Sequence, residues 1–218
     1  MHEFLNMYKK GGASLASAAF DYLIGDLLIK EKRGAEKAKE LTALDMESKA
    51  PMDFVPAMIY TFLYISDTKE TAGKVQFRDM VPVILCFTST SSSVTGLNFN
   101  MIPNDVRASI LDLIVKLTKE PMFDDSGKFK ANETIAKLFV TPNGVKAFLA
   151  AVENETGLNV SSAVRTYKID CVKKLRMVEY DMWKYVPALS FKDAIRGAGL
   201  ADIQASMIKA NSQSSADK

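Results

Sequence analysis

At 218 residues, with 48% hydrophobic side chains, the chain has the length of one domain with appendages and enough apolar material for a sizeable core. Its formal net charge is +2, from 28 bases and 26 acids, so a role resting on bulk attraction to polyanions is not implied. The single histidine, His2, stands at the N-terminal end. Ser-His-Asp triads, Cys-His dyads and multi-histidine metal sites are therefore excluded, and neither a Walker-type phosphate loop nor a dinucleotide-binding glycine fingerprint occurs.

The two cysteines, Cys86 and Cys171, lie in apolar or strand-like runs, and the expectation is two buried free thiols in a reducing compartment. No apolar run has the length of a bilayer span, and the N-terminus lacks the pattern of a secretory signal; synthesis in a cytoplasm is expected, with no membrane partner.

In chain order, Lys9-Lys10-Gly11-Gly12 reads as a flexible start. Ser14 then caps a helix running to about Lys30, with an apolar stripe of Leu15, Phe20, Leu23, Ile24 and Leu27. A charged run follows, in which Glu36 and Glu40 interleave with Lys32, Lys37 and Lys39 at helical spacing. Residues 1–50 thus form a helical arm, read either as solvated or as packing on a neighbouring subunit through that stripe. Pro51 and Pro56 end it.

Residues 58–65, MIYTFLYI, form a strand with both faces covered. Residues 66–74 are a hairpin loop, and residues 81–87 the next strand, with Pro82 at its start. Thr88 to Ser93 is a polar loop tip. Residues 94–101 alternate as a strand, in which Gly96 marks a bulge or a close backbone approach. Asn104 or Asp105 caps a helix with Val106, Ile110, Leu113, Ile114 and Leu117 on its apolar side. Arg107 lies in that helix's first turn, where a cation opposes the helix dipole and so points to a specific partner, placed between helix and the Gly96–Asn98 strand.

Residues 124–130, DDSGKFK, are a turn without the ligand alternation of a calcium loop. A short helix covers residues 132–139. Thr141 caps another, with Pro142 at its first position and Gly157 at its stop. Tyr167, Ile169 and Cys171 alternate as a strand that residues 172–178 continue. Arg165, Lys168, Lys173, Lys174 and Arg176 form the densest basic cluster, read as a solvated strand face or as phosphate-contacting. Trp183, the only tryptophan, is a core anchor. Ser190 caps a helix through Arg196, residues 200–210 are amphipathic, and residues 211–218 are a disordered tail.

The expected fold is α+β: a small antiparallel sheet packed with several helices, in a core domain of residues 51–210 with the arm before it. No paired acid and base stand at a recognisable catalytic spacing, so no enzyme activity and no cofactor or metal is expected.

Three pieces in this order resemble a family of large, contractile-tailed bacteriophages, the virion structural and DNA-end-protector-like proteins. They are MIYTFLYI (58–65), DMVPVILCF with GLNFNMIPNDVRASILDLI (79–87 and 96–114), and CVKKLRMVEYDMWKYVPALSFKDA (171–194). Gly96, Leu97, Asn98, Pro103, Arg107 and Trp183 match the family's places, and the pieces cover about half the chain. The chain departs from the family in the link SDTKETAGKVQF, which replaces a Pro/Tyr-rich run, and in its longer charged arm. The resemblance implies a non-enzymatic virion protein of the tail, baseplate or head–tail junction. It would dock on other virion proteins in a multi-copy assembly, with Gly96, Asn98, Arg107 and Trp183 as structural anchors. The alternative it implies is a DNA-end-binding protein of the particle.

Overall fold

The computed structural model describes residues 2–25, 54–64, 78–79, 81–118, 138–139, 141–189 and 195–196. Its centre is a five-stranded antiparallel sheet of β1 (Ile59–Tyr64), β3 (Val83–Ser89), β4 (Ser93–Asn98), β5 (Val164–Lys168) and β6 (Val172–Met177), in the order β5-β4-β3-β1-β6. A separate two-stranded ribbon pairs β2 (Arg78–Asp79) with β7 (Ile195–Arg196). Helices α1 (Glu3–Phe20), α2 (Asn104–Thr118) and α3 (Pro142–Thr156) pack around the larger sheet, giving the expected α+β class.

The sheet must roll up. β5 and β6 stand at its opposite edges, four strand spacings apart, which is about 19 Å in a flat sheet. Yet only the 3-10 turn Ile169–Cys171 joins them, and four residue steps reach about 14 Å even when extended. Consistent with closure, the Lys168 N–H on β5 donates to the Tyr64 hydroxyl on β1 at 3.4 Å. The Tyr167 ring lies 5.3 Å from Phe62 and 5.1 Å from Tyr64. The result is a small, partly open barrel. Residues 167–178 are therefore not one continuing strand, as their alternation suggests, but belong to two strands, β5 and β6, on facing edges.

Strand β1 lies inside the sheet, between β3 and β6, and both of its faces are covered. Tyr60, Phe62 and Tyr64 share one face, where Phe62 and Tyr64 meet Tyr167 across the barrel, and Phe54 packs on Tyr60 and Phe62. On the other face Thr61, fully buried, donates its hydroxyl to the Leu23 carbonyl in the turn that follows α1. A second aromatic group, Phe87, Phe139 and Phe148, joins β3 to α3, with centroids 4.9 to 6.1 Å apart.

Several local readings hold. Thr141 Oγ1 accepts from the Gly144 N–H, Pro142 opens α3, and Gly157 closes it at φ 69°, where a glycine avoids the Cβ penalty. Cys86 and Cys171 are free and buried. Strand β4 ends at Asn98, earlier than its alternation predicts, because the Asn98 Oδ1 accepts from Asn100 N–H and turns the chain into the 3-10 helix Phe99–Met101. The helix expected from Ser190 is not formed at its end, since Ile195–Arg196 pair as β7; residues 190–194 lie outside the described residues. So do the loop 66–74, the turn 124–130, the amphipathic stretch 200–210 and the tail 211–218.

The N-terminal reading is corrected. α1 starts at Glu3 and passes unbroken through Gly11 and Gly12, instead of starting at Ser14. Two glycines cost about 1 kcal/mol each in a helix interior, so the helix depends on what it docks against. After Phe20 the chain takes a π turn, Asp21–Gly25, which brings the consecutive Leu23 and Ile24 into the core together. Residues 3–25 thus belong to the same core as the sheet, whereas residues 26–53 of the expected arm and its junction lie outside the described residues.

Gly96 pairs with Cys86 beside a bulge in β3, where the register shifts between Cys86 and Thr88. A Cβ there would lie 2.5 Å from the Leu85 carbonyl oxygen. Gly96→Ala should destabilise the fold by about 2 kcal/mol, as overpacking against backbone does. Urea denaturation reads this directly, and a variant as stable as the parent would contradict the close approach.

Candidate functional site

The described residues carry four buried charged or amide side chains; Arg107, Asp112 and Asn100 bond to main chain in another element or segment, and Asn98 bonds to a side chain across the sheet. Arg107, on α2, is 2% exposed. Its Nε donates to the Ile102 carbonyl at 2.7 Å, and its NH1 group donates to the Val186 and Leu189 carbonyls at 3.3 and 2.9 Å. The partner that its position in the first helical turn demanded is therefore present. It includes the carbonyls of the segments before α2 and after β6, where the sequence had pointed to the Gly96–Asn98 strand. The planar guanidinium, with its fixed fork of donors, suits three diverging acceptors.

Asp112, also on α2 and 6% exposed, accepts the Phe4 N–H at 2.9 Å on one oxygen and the Leu5 N–H at 3.2 Å on the other. A carboxylate thus caps α1 from 108 residues away, where His2 makes no side-chain cap. At the far end of the same helix, the Arg176 NH1 group donates to the Tyr22 carbonyl at 2.7 Å and lies over the Tyr22 ring at 4.1 Å. An anion at the N-terminus and a cation at the C-terminal end both complement the helix dipole, at up to about 2 kcal/mol each when partly buried. Nothing in the sequence reading singled out Asp112. The available signal was an acid inside the continuous apolar run ILDLI, since a buried carboxylate requires partners.

Asn98 Nδ2 donates to the Tyr167 hydroxyl at 2.8 Å, and Asn100 Nδ2 donates to the Val81 carbonyl at 3.0 Å. Trp183 is fully buried, its indole N–H on the Val178 carbonyl, with Tyr180 and Phe4 against its ring. The anchor expected at Trp183 thus joins the segment after β6 to α1. Burial, with the Glu3 and Asp112 carboxylates nearby, pushes the Tyr180 hydroxyl pKa up. Burial also pushes the Cys86 thiol up to about 12, well away from thiolate chemistry at neutral pH.

The stripe expected to form a partner interface is largely an inner face. Leu23 and Ile24 are fully buried in the chain's own core, and Leu15 and Phe20 are half-buried against it; Leu27 lies outside the described residues. Helical periodicity reports that a face is covered, not which chain covers it.

The basic cluster divides. Arg165 turns back to donate to the Ser162 and Val164 carbonyls, and Arg176 is held at Tyr22. Lys174 is half-buried at φ 50°, in a bulge where it and Leu175 oppose Phe62 alone. Lys168 and Lys173 are exposed on either side of the Ile169–Cys171 turn, and the Lys173 Nζ donates to the Asp170 carbonyl. Beside Lys168 runs a hydroxyl-rich surface. Thr90, Ser91 and Ser92 are exposed in the β3–β4 turn, Ser93 pairs with Lys168, and the Thr95 and Thr166 hydroxyls meet at 2.8 Å.

Among the described residues, no group of three or more His, Cys, Asp or Glu could hold a metal ion, and no helix is long and apolar enough to cross a membrane. Comparisons with family models, with curated proteins and with solved structures return no match.

Arg107→Ala leaves three buried carbonyls without a charged donor and should destabilise the fold by about 3 kcal/mol. Arg107→Lys should recover only part of this, because a single nitrogen cannot stand at both the Nε and the NH1 positions from which the three acceptors are reached. Chemical denaturation of both variants is the check, and a neutral Arg107→Ala would show that the guanidinium is dispensable.

Proposed function

We propose that this chain is a non-enzymatic structural protein of a tailed-bacteriophage particle, acting in the tail, the baseplate or the head–tail junction by docking on neighbouring virion proteins. One observation carries the reading: the three separated pieces that resemble that family form one contiguous framework. The first piece supplies β1, which is flanked by β3 of the second and β6 of the third. Arg107, from the second piece, bonds to Val186 and Leu189 of the third. The buried charges serve this framework, which suits a protein that presents a rigid surface to others. The exposed hydroxyl-rich face of β4 and β5, with Lys168, is the docking surface the reading favours.

A second reading, DNA-end binding within the particle, draws on the exposed Lys168 beside those hydroxyls, with the exposed Lys173 across the Ile169–Cys171 turn, groups suited to phosphate oxygens. It is the weaker reading, because Arg165 and Arg176 are turned toward carbonyls of the chain itself.

Purified particles, opened and treated with nuclease across a salt series, separate the two. The structural reading predicts that the chain remains with the protein assembly after nuclease and at high salt. Release with the DNA, steeply promoted by salt, would support the second reading instead. Particles that lack the chain would overturn both.

A further inference from the structure

We propose that Arg165 guards the edge of β5 against strand addition, and so keeps a second copy of this chain from extending the sheet there. The inference does not rest on the proposed virion role. It starts from the main-chain groups of β5 that face away from β4. The Ile169 N–H donates to the Ser92 carbonyl, so Lys168 and Ser93 form a non-hydrogen-bonded pair of the antiparallel ladder. Alternation along the ladder then turns the N–H and C=O groups of Val164, Thr166 and Lys168 outward.

An outward row of this kind is a template for pairing with another chain, and Val164, Thr166 and Tyr167 are residue types that favour strands. Here the row is occupied from within the chain at both ends. At one end the Lys168 N–H is taken by the Tyr64 hydroxyl at 3.4 Å, a consequence of the curl. At the other, the Val164 N–H donates to the Ser161 carbonyl. The Arg165 NH1 group donates to the Val164 carbonyl at 3.0 Å and to the Ser162 carbonyl at 2.6 Å. Between these ends only the exposed Thr166 keeps its N–H and C=O without a partner among the described residues. One residue is too short a run to hold an added strand.

Arg165 is the part of this arrangement that one substitution removes. Tyr64 is kept at Lys168 by the roll of the sheet, its ring 5.1 Å from that of Tyr167. The Arg165 guanidinium instead lies half-buried on two carbonyls. Without it the Val164 carbonyl and the Thr166 groups face outward together. Two copies can then pair antiparallel, each Thr166 N–H donating to the partner's Val164 carbonyl. In that register residue 165 of one copy stands directly opposite residue 165 of the other, so the two arginines also oppose each other as like charges. The opposite edge, β6, is interrupted by the bulge at Lys174, where φ is 50°. The edge that needs a side chain to block it is therefore β5.

Hydrogen exchange at the Thr166 amide, measured on the full chain at low and high protein concentration, tests the guard. In the parent the two rates should agree within about two-fold. In Arg165→Met, which keeps a long side chain but no donor, exchange should slow by about ten-fold or more at the high concentration, while the β1 and β3 amides stay unchanged. Sedimentation should show the same variant gaining an association step that the parent lacks. Adding Thr166→Pro should abolish that step, because the proline removes an outward N–H and no bond of the sheet itself. Four results would each overturn the proposal: protection of the parent's Thr166 amide that grows with concentration, concentration-independent exchange in Arg165→Met, association that survives Thr166→Pro, or loss of β1 and β3 protection in Arg165→Met.

Discussion

A three-residue turn between facing strands is the constraint on which the rest of this structure depends. Because Ile169–Cys171 joins β5 directly to β6, the five-stranded sheet has to curl until its edges approach. Curling creates an interior, and the interior selects what fills it. Phe54, Tyr60, Phe62 and Tyr167 pack there edge to face, the arrangement that aromatic quadrupoles favour. The bulges in β3 and at Lys174 in β6 give the local twist that a tightly rolled sheet requires. Gly96 allows the two backbones to close up beside the first of them.

A rolled sheet of this size has an outer surface that helices must cover, and here the covering elements are fastened by polar groups as well as by apolar contact. Asp112 and Arg176 hold α1 at opposite ends, and Arg107 holds the segment that follows β6. Each acts on main-chain groups that helix and turn ends leave unpaired, so one side chain both satisfies a backbone requirement and fixes an inter-element distance.

Local chemistry made much of this legible in the sequence. The α3 boundaries follow from Thr141, Pro142 and Gly157, and the α2 boundaries from the Asn104-Asp105 pair and the apolar spacing after it. The double coverage of β1 follows from its unbroken run of aromatic and β-branched residues. Three features were not legible, because each depends on contacts between residues far apart in sequence. Alternation across residues 167–178 cannot reveal that the chain changes edges at Ile169. The stripe at Leu23 and Ile24 cannot name the surface that buries it. Asp112 makes its bonds 108 residues away. At the candidate site, the sequence located the basic cluster but not its division, since only the fold shows that Arg165 and Arg176 point at carbonyls while Lys168 and Lys173 remain exposed.

The proposed role, a rigid surface offered to neighbouring proteins, depends on the sheet being rolled, since the curl seats Tyr167 of β5 on the β1 rings and so fixes the shape of the β4–β5 face. Nuclear Overhauser contacts in solution measure this most directly. The closed sheet predicts contacts from the Tyr167 ring protons to those of both Phe62 and Tyr64, alongside the cross-strand contacts of β4 with β5. Cross-strand contacts without any contact from Tyr167 to the β1 rings would show a flat sheet and contradict the account.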